Sequence, residues 1–294
     1  MVIKTWTWAS AWWGAVVGIN VINLLIGLYI FYKFKTKSVE SSQYDKNMKI
    51  AGLVFIGVAF YRSIFVSNYL HQLAWFDTLL NSTLLIRSFA FFAELAFAYL
   101  IMSLLLQFNK DMPIPEEHKT KRVLYFFETK APKVFFLFLF LAQFFAFGGA
   151  ITKVHLLFAI EETFWGLGFL LITPLVLIQS GKLLKLKGNE KKLMNNFKIP
   201  LLFLAVFCVG YSMYSVFYHL PIEYWPEAIH QLQVANPDPA FRFGFKAILD
   251  TFRVVNVTRD YAIWGGLGFV IWHSGYFTLC GWMTLFFMRA PKKI

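Results

Sequence analysis

The chain has 294 residues, 58% of them hydrophobic, 20% aromatic and only 15% charged, whereas a soluble domain carries roughly 25% charged residues. That excludes an ordinary water-soluble domain and describes an integral membrane protein. The net charge of +12 does not indicate a nucleic-acid partner, because the basic residues are dispersed over the connections between apolar stretches.

A helix needs about 20 predominantly apolar residues to cross about 30 Å of hydrocarbon. In chain order the qualifying stretches are Trp8–Tyr32, Ile50–Leu70, Thr83–Phe108, Val134–Ile151, Leu156–Gln179, Pro200–Leu220 and Ile263–Met288. They predict one transmembrane domain over residues 1–294, an all-α, polytopic helical bundle of about seven spans. The first stretch is too long for a signal-peptide core and lacks a small-residue cleavage site, so it reads as a retained span. Trp6, Trp8, Trp12 and Trp13 at its start fit an aromatic belt. Val123–Phe127 is an apolar run inside a polar connection and suits a short surface helix.

The connection 221–262 is the long one. Asp238 followed by Pro239 is a helix start, and Phe241, Phe245, Ile248, Phe252 and Val255 then recur at helical spacing. An amphipathic helix is expected there, lying in the headgroup layer or packed on the bundle. Cys208 and Cys280 lie in apolar runs without a Cys-x-x-Cys, as buried free thiols do.

Charge asymmetry orients the bundle. Of the 28 Lys and Arg residues, 20 fall in 33–49, 110–133, 182–198 and 289–293, which are all on one side. Lysine-rich connections stay in the cytoplasm, so the amino terminus is expected outside and the carboxyl terminus inside. The expected location is a cell or inner membrane.

Six ionisable residues interrupt the spans: Arg62, Arg87, Glu94, Glu161, Glu162 and His273. A charge in hydrocarbon costs a few kcal/mol or more, so such residues are paired or used. Span direction and a rise of 1.5 Å per residue put Arg62 roughly 12 Å, Glu161 and Glu162 roughly 8–10 Å and His273 roughly 14 Å below the outer surface. Arg87 lies about one turn in, and Glu94 is seven residues further on the same face. Tyr211 and Tyr214 share a face of the sixth span, as do Ser212, Ser215 and His219. The inner halves are mainly Leu, Phe, Val and Ile, with Asn20, Asn23 and Gln143 as exceptions. An outward-facing polar chamber follows. Three carboxylates there face two guanidinium groups that cannot neutralise. The expected pairings are Arg62 and Arg87 with Glu94 and one of Glu161 and Glu162.

The run Glu161-Glu162-Thr163-Phe164-Trp165-Gly166 resembles the Glu-Glu motif of the CAAX-protease and bacteriocin-processing family of intramembrane hydrolases. Phe269-Val270-Ile271-Trp272-His273 is similar to that family's second motif, Phe-x-x-x-His. The resemblance implies catalysis by Glu161, Glu162 and His273 around a metal or water. Gly166 replaces the arginine expected after the glutamates, and a third His/Asn motif is missing. A second resemblance is carried by Arg87-Ser88-Phe89-Ala90-Phe91-Phe92-Ala93-Glu94 with Tyr276-Phe277 and Trp282. It is to an uncharacterised family of polytopic membrane proteins, and it implies that Arg87 and Glu94 belong together. The last span has no lysine, which excludes a retinal Schiff base there.

The leading expectation is non-enzymatic. The chamber would bind a small anionic or amphipathic molecule, including membrane lipid. The chain would act as a receptor, a carrier or a subunit of a homo- or hetero-oligomeric complex. Arg62 and Arg87 would contact the anion, Glu94 would orient Arg87, and Tyr211, Tyr214 and His273 would supply hydrogen bonds. No cofactor is expected. The alternatives are the intramembrane hydrolase, with a metal near Glu162 and His273, and a structural subunit whose charges are satisfied internally.

Overall fold

A computed structural model gives the fold and describes residues 8–36, 42–68, 73–112, 122–188, 194–237, 239–253 and 256–289. Long apolar runs satisfy their backbone polar groups internally only as helices, and helices dominate. They are α1 (Trp8–Thr36), α2 (Gln43–Ile64), α3 (Thr83–Asp111), α4 (Arg122–Thr129), α5 (Ala131–Thr152) and α6 (His155–Lys185). After these come α7 (Asn195–Tyr214), a π-helical segment (Ser215–Tyr224), α8 (Trp225–Gln233), α9 (Gly244–Asp250) and α10 (Gly266–Met288). Six helices among the described residues are long and apolar enough to cross a membrane: α1, α2, α3, α5, α6 and the continuous rod 197–233. At 23 residues α10 is comparable in length, but Trp272, His273, Ser274, Tyr276 and four glycines dilute its apolar character.

The boundaries differ from the sequence expectation where tertiary contacts override composition. α2 ends at Ile64 rather than Leu70. Phe65 turns the chain and Ser67–Asn68 (β1) pairs antiparallel with Leu73–Ala74 (β2), which in turn pairs parallel with Asn256–Val257 (β3). Phe65 and Val66 suit a strand as well as a helix, so hydropathy alone overextended the span. This three-stranded clip is the fold's departure from an all-α bundle.

The sixth span runs past Pro221. The chain there is wound in π-helical turns, and Trp225 N–H bonds back to Leu220 O, five residues earlier. A proline lacks the N–H that an α-turn uses, and the wider turns accommodate it. The connection expected from Pro221 therefore begins after Gln233. The amphipathic helix expected from Pro239 is also shorter, spanning only Gly244–Asp250. Residues 239–243 stay non-helical because Arg242 N–H donates to Thr152 O at 2.8 Å and Pro239 O accepts from Gln231 Nε2 at 3.2 Å. Gly244, at φ +70°, then sets the turn into the helix. Phe245 and Ile248 point outward and Ala247 is the buried residue, so the expected apolar stripe does not pack on the bundle. Asp238 and Val255, assigned to that helix from sequence, lie outside the described residues.

α3 is the most buried helix and packs between α2 and α5. α6 packs on α5 and α7, while α10 packs on α1 and α2 and touches α7 and α3 more lightly. Gly166 sets the α6–α7 approach: a Cβ there would lie 2.3 Å from Ser215 Oγ. At one end of the bundle, α4 is tied down by Glu128, which accepts from Lys182 Nζ at 2.6 Å. The other end is capped. Trp8, Trp12, Trp75, Trp264 and Phe269 form a separate aromatic cluster beside the strand clip. Buried backbone groups need partners, and here Thr258 N–H bonds Ala74 O, Trp75 N–H bonds Val66 O, and Leu84 N–H bonds Thr251 O.

Candidate functional site

Under the cap, four helices place ionisable side chains around one cavity of about 210 Å³. Its polar wall is Arg62 from α2, Glu94 from α3, Glu161 and Glu162 from α6, and Tyr211 and Tyr214 from α7. Its apolar wall includes Phe97, Trp165, Phe207, Trp272 and Leu279. A wider vestibule of about 880 Å³ adjoins it and shares Glu162, Tyr214, His219 and Trp272.

Arg87 is completely buried but does not line this cavity. It and Glu94 stand two turns apart on one face of α3, within reach of two long side chains. The guanidinium donates from Nη1 and Nη2 to the two Glu94 carboxylate oxygens, each at 3.2 Å. Nη2 also donates to Gln143 Oε1 at 2.6 Å and stands 3.5 Å from Glu161. Gln143, which sequence position assigned to the inner half of its span, is thus part of the network. Arg87 binds two carboxylates at once. This differs from the expected pairing, which divided the carboxylates between the two arginines, and it holds Arg87 outside the cavity lining rather than at the expected anion contact.

Glu162 lies on the neighbouring face of α6, since successive helical residues point about 100° apart. Tyr211 Oη donates to it at 3.3 Å and His219 Nδ1 stands 3.5 Å away. His219 Nε2 is 3.3 Å from Glu223, at the rim of the vestibule. His219 entered the sequence reading only through the face it shares with Ser212 and Ser215. Its position depends on the π-helical turns, which no sequence period announces.

Arg62 differs from all of these. It is 5% exposed and lines the cavity, yet it makes no hydrogen bond or ion pair among the described residues. Its guanidinium carbon lies 5.0 Å from the Phe277 ring centroid. It also occupies the last turn of α2, closer to the helix end than the roughly 12 Å depth expected from a span reaching Leu70. The partial negative charge at a helix C-terminus offsets part of its charge. The dipole engages none of its five N–H donors.

His273 is buried among aromatic rings. Its ring packs against Phe277 at 4.5 Å, Trp12 at 5.1 Å and Phe269 at 5.4 Å between centroids. Trp272, Gly275, Tyr276, Leu279 and Cys280 line the cavity from α10, and His273 is not among the lining residues. His273 therefore does not join Glu161 and Glu162, as the hydrolase resemblance implied, and does not offer the cavity the hydrogen bond expected of it. Among the described residues no three His, Cys, Asp or Glu side chains are grouped as metal ligands.

Gly275 and Gly268 were not singled out in the sequence. An added Cβ at either meets no atom within 4 Å, so α10 presents an open groove where Gly275 lines the cavity and Gly268 the vestibule. Comparison with protein families, curated proteins and solved structures found no match for this chain.

Proposed function

We propose that this chain is a seven-span membrane protein, with α10 as the seventh span, whose cavity binds a small anionic or amphipathic molecule through Arg62. It would serve as a receptor, a carrier or a subunit of a membrane complex. The observation that carries the reading is the contrast between Arg62 and the other charged residues that line this cavity, each of which has a partner. Burying an unpaired guanidinium is costly, and a charged donor group on a cavity wall is suited to a carboxylate or phosphate. Aromatic side chains elsewhere in the lining supply apolar contact. Tyr214 supplies a hydroxyl, and Glu94 keeps Arg87 engaged.

The distribution of lysine supports an orientation with the capped end outside. Lys182, Lys185 and Lys187 stand at the opposite end, with α4. A membrane-impermeant thiol reagent is expected to label Arg253→Cys in intact cells and Lys187→Cys only after permeabilisation. The reverse pattern would turn the cavity toward the cytoplasm.

The test of binding is Arg62→Gln in the purified full chain. A hydrogen-bonded charge contributes about 1.5–3 kcal/mol, so affinity for oleate or a lysophosphatidate should fall about 10- to 150-fold with thermal unfolding unchanged. Equal affinity in a folded variant removes Arg62 from the site and the reading with it.

A further inference from the structure

We propose that the occupant is a membrane lipid with an anionic headgroup, and that it reaches Arg62 sideways through the gap between the π-helical segment and α10. This rests on the anion-binding reading of Arg62 and adds the class of ligand and its route. The shared chemistry is a phosphate or carboxylate, which a water-soluble anion also carries. Three observations favour the lipid-borne form.

The first is the character of the lining. A site for a free anion surrounds it with donors, whereas here most of the cavity surface is apolar, with Trp165, Phe207, Trp272 and Leu279 contributing to it. They offer nothing to a soluble anion and much to a hydrocarbon chain, since each buried CH₂ contributes about 0.8 kcal/mol.

The second is the lateral opening. The π-helical segment and α10 scarcely touch, and the vestibule fills the space between them. Its lips are Tyr218 and Ile222 on one side and Ile271 and Trp272 on the other, all exposed on the outer surface of the bundle. In a spanning protein that surface meets acyl chains. Tyr and Trp are the side chains that settle where headgroups begin.

The third is the floor of the opening. Gly268 and Gly275 lie two turns apart on one face of α10, and both leave empty the space a side chain would take. The resulting groove links the vestibule, lined by Gly268, to the cavity, lined by Gly275. Charge complementarity then fixes the polarity of the occupant, with its anion on Arg62 and its chain along the glycine face toward the lips.

The experiment uses the full chain in nanodiscs containing a phosphatidate with a photoactivatable diazirine in its acyl chain. Labelled peptides should come from 214–222 and 268–279, and both Arg62→Gln and Gly275→Phe should reduce that labelling at least tenfold. Gly275→Phe fills open space, so the folded protein should persist. Gly268→Leu provides a second obstruction nearer the lips and should act in the same direction. Labelling spread evenly over the outer surface, or unchanged in both glycine variants, overturns the proposal. A parallel arm measures binding of inorganic phosphate. Phosphate binding that is lost in Arg62→Gln but indifferent to Gly275→Phe, without site-selective lipid labelling, would keep the anion site and overturn the lipid. If neither probe responds to Arg62→Gln, the anion reading itself falls.

Discussion

The interior has two halves, and each is built around a buried arginine. Between α3, α5 and α6, Arg87 is enclosed by Glu94, Glu161 and Gln143, and has no access to the cavity. Between α2 and α10, Arg62 is also buried but rests on a phenyl ring and lines the cavity. The two residues share a charge and a shape. What separates the two is the number of partners already in place.

The largest effect should come from breaking the saturated half. Arg87→Leu leaves two buried carboxylates without a counter-charge, at a cost of about 3–5 kcal/mol. Unfolding of the detergent-solubilised protein measures this. Neutralising the knot as a whole, with Arg87→Met, Glu94→Gln and Glu161→Gln together, should recover most of the loss. A single Arg87→Leu variant as stable as the parent would erase the distinction between the halves. Arg62→Met should behave oppositely, with stability equal to or above that of the parent and ligand affinity reduced as for Arg62→Gln.

The border between the halves is sharpened by Gly166→Ala. The added methyl meets Ser215 Oγ at the start of the π-helical turns, and overpacking of this kind costs about 1–3 kcal/mol. Ser215→Ala in the same chain should restore most of it. If the double variant is no better than the single one, the contact does not set the α6–α7 spacing.

The smallest effect concerns a third buried cation, one that can shed its proton. Lys153 caps α5 at φ 63° outside the spans, and burial, with Arg242 nearby, pushes its pKa from 10.5 down to about 8. Between about pH 8 and 10.5 the unfolded chain holds this proton and the folded one does not, so stability should rise with pH across that window. Lys153→Gly suits the left-handed backbone, should stabilise the protein by about 1 kcal/mol near neutral pH and should flatten the slope. An unchanged slope would mean that another group titrates there.

Much of this was legible from residue order. Hydrocarbon runs announce the helices because a chain without water must bond its own backbone. Arg87 and Glu94 could be matched because seven residues bring two side chains onto one helical face. Arg62 could be identified as costly, but its lack of a partner is a distance between helices, which counting charges cannot supply. Pairing it with a leftover carboxylate was reasonable arithmetic, and it failed because Arg87 takes two. For His273 the depth estimate fixes a height and says nothing of the Trp12, Phe269 and Phe277 rings that enclose it. The π-helical turns and the strand clip carry no period long enough to detect, and the groove of Gly268 and Gly275 consists of missing atoms.

The strand clip has a consequence for how the molecule is made. Leu73 and Ala74 pair with Asn256 and Val257, and Trp12 donates its indole N–H to Ser274. Translation delivers the early members of these pairs long before the late ones. On the proposed seven-span reading, a nascent chain holding α1 through α7 has Arg62 in place before α10 arrives, and a lipid occupant would enter during synthesis, ahead of the last wall.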